Sequence, residues 1–464
     1  MKQPSLLHRV LHCQQGSIAY IFALSMLPMI ASVGLAVDAA RAYAVKSKLS
    51  FALDAAGLAV GSSNGTPAQL QDIGQKFFNA NFQNTGLDAT ASFSITVNGD
   101  KISANGSAKV STTFMKLAGI DQITVTETSE VTRAIRGLEL AMILDNTGSM
   151  TTSDNIGALR DAAQELVDIL FGGYTVHPKL AIGLVPYSAA VNPGTVAQGL
   201  IDTSEVVDTA NLLGWKGCVV ERAGHAIEDS TASVKQWKRY KWDPAVDNYY
   251  DATKSSTVKA DWSNGNASTG PNVGCPTPIT PLTHDKATVD TAVQAMRAWS
   301  RGGTMGDIGM AWGLRLLSPE APFTEGLPWG TAKWSKAAIL MTDGENQFYK
   351  LTSTTGANKV NNAVVSDYTG YGRLDQYAAV GTTNTTTAKN TINTRLSQVC
   401  QAMKDKGITV YTITFTSGIN QATKDIYKNC ASSATKYFDS PSQTELKNSF
   451  HSIAIELSQL RVSQ

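Results

Sequence analysis

The sequence predicts an α/β protein: a doubly wound, mostly parallel sheet, preceded by a transmembrane helix and a small α+β domain. Three observations predict it. From Gly137 onward, short apolar runs such as Leu138–Leu144 (LELAMIL) and Ala337–Met341 (AAILM) alternate with helical stretches. That rhythm marks a parallel sheet covered on both faces, which binds ligands beyond the carboxyl ends of its strands. No charge interrupts Ser17–Val37, a run long enough at ~1.5 Å per residue to cross a ~30 Å hydrocarbon core. Between the two, residues 91–135 alternate apolar and polar side chains around the hairpin signal Asn98-Gly99.

Composition sets the outer bounds. At ~150 residues per domain, 464 residues correspond to about three domains. Lys and Arg number 39 against 38 Asp and Glu, and a net charge of +1 lacks the basic footprint of a nucleic-acid binder. Charged residues make up 17%, below the ~25% of ordinary soluble domains. Hydrophobic residues reach 42%, which excludes wholesale disorder.

In chain order, residues 1–16 read as a short cytoplasmic N-terminus and 17–37 as a membrane helix. Pro28 lies inside the span, where membrane helices tolerate it, and Asp38 ends the run. A cleaved signal is the alternative, but the run exceeds a typical signal core. The nearest small-residue site, Ala40-Arg41-Ala42, also lies past a charge. Lys2 and Arg9 before the span and Arg41, Lys46 and Lys48 after it leave the orientation undecided. Cysteines decide it better. Cys218, Cys275, Cys400 and Cys430 follow the span without C-x-x-C spacing, an even set that reads as two disulfides in an oxidising compartment. Of three connectivities, the sequence-local pairs Cys218–Cys275 and Cys400–Cys430 are favoured, because each staples one loop or helix pair. The bulk of the chain is therefore expected outside the cytoplasm.

Residues 38–136 form the small domain. A helix continues over 39–60 with Tyr43, Leu49, Leu53, Ala56 and Val60 as its apolar positions, Gly61–Gly65 (GSSNG) breaks it, and Pro67 opens a helix through Phe78. β-rich runs follow to Ile135. Within 137–464, strands are expected at 138–144, 179–185, 337–341 and 408–415. Helices are expected at 158–170, 285–299, 307–317, 390–406, 421–431 and 443–459. Two stretches are too long for connections and read as insertions. Residues 202–284 carry Trp215, Trp237, Trp242 and Trp262, read as the small core of a disulfide-stapled loop; residues 347–388 are rich in Thr, Asn, Gly and Tyr.

The chemistry gathers at strand ends. Asp145-Asn146-Thr147-Gly148-Ser149-Met150 follows the first apolar strand, with a carboxylate and two hydroxyls at alternate positions. Thr342-Asp343-Gly344-Glu345 follows a later one, and Gly302-Gly303-Thr304 precedes a helix. Alone, each is an ordinary cap or turn. Together they resemble the metal-ion-dependent adhesion site of a von Willebrand factor A domain. Asp145, Thr147 and Ser149 match that family's Asp-x-Ser-x-Ser, with threonine for the first serine; Thr304 matches its threonine and Asp343 its later aspartate. The resemblance implies a Rossmann-like doubly wound sheet and a bound Mg²⁺, or another divalent cation such as Mn²⁺ or Ca²⁺. It implies Ser149 and Thr147 as ligands, Asp145 and Asp343 as holders of charge and water, and Thr304 as a state-dependent ligand. A hard cation under-neutralised by hydroxyls would accept an acidic side chain from a protein partner.

The N-terminal segments GSIAYIFAL from Gly16, VDAAR from Val37 and LSFALDAAGLA from Leu49 are similar to TadG-like proteins of the Flp/Tad (tight adherence) pilus machinery. This resemblance implies a single-pass inner-membrane protein with its bulk periplasmic or extracellular, engaged in pilus assembly or adhesion. A pilin-like scaffold whose second domain is passive is the alternative. A metal-dependent hydrolase ranks last, because no general base stands beside the site. G-x-G-x-x-G, Walker and H-E-x-x-H motifs are absent, and the G-x-S-x-G string at Gly61–Gly65 follows a helix, unlike a nucleophile elbow. No enzymatic activity is expected.

Overall fold

The structure is a computed structural model that describes residues 17–63, 67–82, 89–98, 101–132, 136–202, 215–222, 226–230, 237–240, 272–299, 301–349, 365–375 and 380–462. The N-terminal Lys2, Arg9, Cys13 and Gly16, and Trp242 and Trp262 of the first insertion, lie outside the described residues. The chain forms two compact units, residues 1–134 with 462–464, and residues 135–461.

The first unit is built on one long helix. α1 (Ser17–Gly61) runs through both the apolar span and the stretch expected to follow it, 45 residues without a break at Pro28 or Asp38. Its first half exposes apolar side chains from Tyr20 to Val37. Its second half buries Val45, Leu49, Ala52, Leu53 and Ala56. α2 (Pro67–Asn81) contributes Phe78 to the same core. β1 (Ala89–Asn98), β2 (Lys101–Ser111) and β3 (Gln122–Thr132) form an antiparallel sheet, with Asn98 opposite Lys101 at the expected hairpin. Ala104, Ala108 and Val110 of β2 face the helix.

The second unit is a doubly wound sheet. β4 (Gly137–Asp145) leads to α3 (Asn155–Phe171), then β5 (Leu180–Tyr187), and a short ribbon of β6 (Val219–Val220) with β7 (Lys238–Arg239). β8 (Thr280–Thr283), α4 (Lys286–Ala295), β9 (Gly303–Thr304) and α5 (Gly306–Leu317) follow. β10 (Trp334–Thr342), β11 (Gln347–Phe348), α6 (Thr385–Asp405), β12 (Thr409–Phe415), α7 (Gln421–Cys430), β13 (Tyr437–Ser440) and α8 (Gln443–Val462) complete it. The strand order is β13-β12-β10-β4-β5-β8, parallel except for β8.

The apolar runs are continuous because both sheet faces are covered. Leu138, Leu140, Met142 and Leu144 of β4 pack with α3, α4 and α8. Ala141 and Ile143 between them pack with α5, α6 and α7 on the opposite side. α5 approaches so closely that a Cβ on Gly309 would lie 2.7 Å from Tyr187, and one on Gly313 2.5 Å from Ile143.

Three expectations are corrected. The first insertion ends earlier than residue 284, because β8 joins the main sheet as its antiparallel edge. β13 has no counterpart in the sequence reading, since half-exposed Tyr437 and Phe438 leave it without an apolar run. Trp237 belongs to the main core rather than to a separate one: it packs 4.9 Å from Trp312 of α5. Arg222 and Arg315 also lie 4.9 Å from its ring, and Arg315 pairs with buried Glu221 at 3.2 Å.

Both expected disulfides are formed, Cys218–Cys275 and Cys400–Cys430. The second ties α6 to α7 across a sequence separation of 30, so in the chain-entropy picture it stabilises by about 3–4 kcal/mol. Replacing both Cys400 and Cys430 by alanine should lower unfolding free energy by that amount in urea titrations. Adding reductant to the variant should then cost less than adding it to the wild type.

Candidate metal centre at the sheet edge

β4 and β10 are parallel neighbours, so their carboxyl ends deliver Asp145 and Asp343 to the same rim. The Asp145 carboxylate is fully buried and held in place by its neighbours. Its Oδ1 accepts the Thr147 backbone N–H at 2.8 Å, closing a turn, and its Oδ2 accepts the Thr342 hydroxyl at 2.8 Å. The Tyr187 hydroxyl, at the end of β5, donates to the Met341 carbonyl at 2.9 Å and lies 3.4 Å from the same Oδ2.

The hydroxyls continue outward. Thr147 Oγ1 and Ser149 Oγ are 3.0 Å apart, and Ser149 Oγ donates to Asp343 Oδ1 at 2.7 Å. Ser149 is exposed while Asp145 and Thr147 are buried, so the cluster opens to solvent at the serine. The capping explanation for these residues is not how they are used: Thr147 precedes the 3₁₀ turn Gly148–Asp154 without a side-chain cap bond. Four of the five expected residues, Asp145, Thr147, Ser149 and Asp343, thus share one hydrogen-bonded chain.

Thr304 reaches the same edge by a separate loop and makes no hydrogen bond to that chain among the described residues. The Trp299 N–H donates to the Asn146 carbonyl at 2.7 Å, and the Met305 N–H donates to the Ser188 carbonyl at 3.0 Å. The loop between is thereby pinned to the ends of β4 and β5. Thr304 itself pairs with Gln347, and position 303 requires glycine, because its φ is +133° and a Cβ there would lie 2.0 Å from the Gln347 carbonyl. Arg301 grips Asp367 of the second insertion with two bonds of 2.5 and 2.6 Å, both side chains buried.

Sequence reasoning missed Thr342, Tyr187, Asn346 and the Arg301–Asp367 pair. Thr342 stood beside the recognised Asp343, but nothing in its local pattern shows that its hydroxyl turns back to Asp145. Asn346 Oδ1 accepts the Gly306 N–H at 3.0 Å and so fixes the start of α5.

The electrostatics are those of an anion pair without a countercharge. Burial raises Asp145, and burial together with the Asp145 charge raises Asp343 to about 7. Among the described residues neither carboxylate has an ion-pair partner. The oxygen spacings of 2.7 and 3.0 Å compare with the ~3.0 Å edge of an octahedron whose metal–oxygen bonds are ~2.1 Å. Hard oxygen donors of this kind suit Mg²⁺, Mn²⁺ or Ca²⁺. No group of three or more His, Cys, Asp or Glu side chains forms a metal site among the described residues, so hydroxyls must supply much of any such shell.

Linkage follows from the sign of the shift. A carboxyl with a folded pKa above its unfolded value binds its proton more tightly in the folded state. Its stabilising effect is complete below ~4 and lost as pH rises towards about 7. In EDTA, the melting temperature should therefore fall between pH 4 and pH 7. Asp343→Asn should flatten that slope, and a slope unchanged by the substitution would place its origin elsewhere.

Comparison with known proteins gives a family for the N-terminal helix. Residues 16–63 match the Tad family model of Flp pilus-assembly TadE/G-like proteins. That segment contains the GSIAYIFAL, VDAAR and LSFALDAAGLA strings, and the TadG-like resemblance read from them holds. No curated protein sequence matches the chain. Among solved structures, the chain is similar to the vWF domain of the type V pili tip protein Mfa5 from Porphyromonas gingivalis. The identity is 12% and the TM-score 0.38, covering 71% of this chain and 97% of that one. It is also similar to the pilus adhesin RrgA from Streptococcus pneumoniae, at 11% identity and a TM-score of 0.37, covering 79% of this chain and 49% of the other. A third is proximal thread matrix protein 1 from the mussel byssus, with a zinc-occupied MIDAS motif. It shows 12% identity and a TM-score of 0.34, covering 71% of this chain and 47% of that one.

Proposed function

We propose that the chain is a membrane-anchored protein of Flp/Tad-type pilus assembly or surface adhesion. Its doubly wound domain binds a divalent cation, best Mg²⁺, and through it an acidic side chain of a protein partner. One observation carries this reading. Two buried carboxylates and two hydroxyls converge at the carboxyl edge of β4 and β10, and among the described residues no basic side chain neutralises them. A cation supplies the missing positive charge.

In this reading Ser149 and Thr147 offer neutral oxygens to the ion, Asp145 and Asp343 supply charge and hold water, and Thr304 is the ligand that changes with state. With hydroxyls dominating, the ion keeps appetite for one more anion at the solvent-open side, where a partner's carboxylate fits. The site binds rather than catalyses: the two carboxylates are occupied by the cluster itself, and neither is paired with a group that would take a proton from a substrate. The match over residues 16–63, the apolar first half of α1 and the two disulfides support a single-pass anchor in the inner membrane with the body on the periplasmic or extracellular side. The domain bounds proposed are 38–136 for the small domain and 137–464 for the adhesive one.

Asp145→Ala should weaken Mg²⁺ binding by about 10–100-fold in titration calorimetry, and Ser149→Ala should do so as well while leaving far-UV circular dichroism unchanged. Partner capture from membranes should vanish in EDTA and with either variant. If calorimetry shows cation binding but capture is insensitive to it, the passive-scaffold reading replaces this one.

A further inference from the structure

The connection from β2 to β3 is an apolar tip with a closed backbone. Residues 115–118 form a 3₁₀ turn that ends at Gly119 with φ +83°. At this tip Leu117 is 89% exposed, Ile120 43% and Phe114 38%. Three large apolar side chains facing water on one short turn are costly unless something apolar covers them.

Most of the loop's backbone donors are already bonded within the first unit. Asp38 of α1 accepts the backbone N–H groups of Thr113, Phe114 and Met115 at 3.0, 2.8 and 2.7 Å. The Leu117 N–H donates to the Phe114 carbonyl, Gly119 to Lys116, and Ile120 to Met115, each at 3.0 Å. The Thr112 hydroxyl donates to the Ile120 carbonyl. Backbone bonded in this way strands few donors when it leaves water, which lowers the cost of entering a bilayer.

Its place on the helix is the second observation. Asp38 is the first charge after the apolar run, and Gly34 lies one turn earlier, inside that run. The Phe114 ring packs on Gly34, where an added Cβ would sit 2.6 Å from it. The tip is thus continuous with the exposed apolar surface of Val33, Leu35 and Val37. Arg41, which donates to Thr113 Oγ1 at 2.9 Å, and exposed Lys116 flank it with charges suited to the headgroup layer.

We propose that the β2–β3 tip is a second membrane contact: Phe114, Leu117 and Ile120 enter the outer acyl region of the same bilayer that α1 crosses, clamped at that depth by Asp38. The proposal rests on the membrane reading of residues 17–37, and the experiment separates the two. The full chain with Cys13→Ser is reconstituted in phosphatidylcholine vesicles. Single cysteines Ile30→Cys, Leu117→Cys and Thr96→Cys carry the fluorophore NBD; Thr96 is exposed at the far end of the β1–β2 hairpin. Quenching is read with lipids bearing a nitroxide high on the acyl chain, and with aqueous iodide. Position 117 should be quenched by the lipid nitroxide at least twofold more than position 96 and shielded from iodide, with position 30 quenched by lipid as well. If position 30 responds to lipid and 117 behaves like 96, the second contact is wrong and the anchor stands. If 117 is shielded from both quenchers, a protein surface covers the tip and the proposal fails. If position 30 is untouched by lipid, the anchor falls and the tip contact with it.

Discussion

The second unit is organised around a charge problem. Asp145 and Asp343 are brought together because β4 and β10 are parallel and adjacent, and among the described residues no basic side chain pairs with either. Everything nearby is arranged to hold that pair in place. Thr342 and the Thr147 N–H bind one carboxylate, and Ser149 binds the other. Tyr187 closes the floor, with α5 seated against its ring through Gly309. Burial of the two carboxylates costs stability, a cost that a bound cation would offset.

The loop with Thr304 has a different dependency. Its two ends are fastened to the sheet, but its middle is held by the second insertion, through the Thr304–Gln347 pairing and the buried Arg301–Asp367 pair. The Thr304 hydroxyl is therefore positioned by residues that lie outside the main sheet. In the same way, Glu221 and Trp237 of the first insertion are locked to α5 through Arg315 and Trp312. The described parts of both insertions thus contribute to the core as well as to its surface.

Legibility in the sequence follows burial. β4, β10 and β12 were readable because both faces are covered, so their apolar runs have no gaps. β8 contains Pro281 and half-buried threonines, and β13 is half exposed; edge strands pair without an apolar signature. At the site, Asp145, Thr147, Ser149 and Asp343 stood at strand ends where local spacing shows them. The Arg301–Asp367 pair spans 66 positions, and no local pattern announces a contact so distant. The apolar span and the helix expected to continue after it form one element, since Asp38 interrupts the hydropathy without stopping the helix and serves as an acceptor for another loop.

That uninterrupted helix has a mechanical corollary. At ~1.5 Å per residue, its 45 residues make a rod of about 68 Å whose far half is the spine of the small domain. Tension applied to that domain would pass along the rod axis, and in the proposed anchored state it would be resisted by dragging an uncharged stem out of lipid. Such a joint would fail by extraction or by shearing the β-sheet from the spine, rather than by uncoiling a linker.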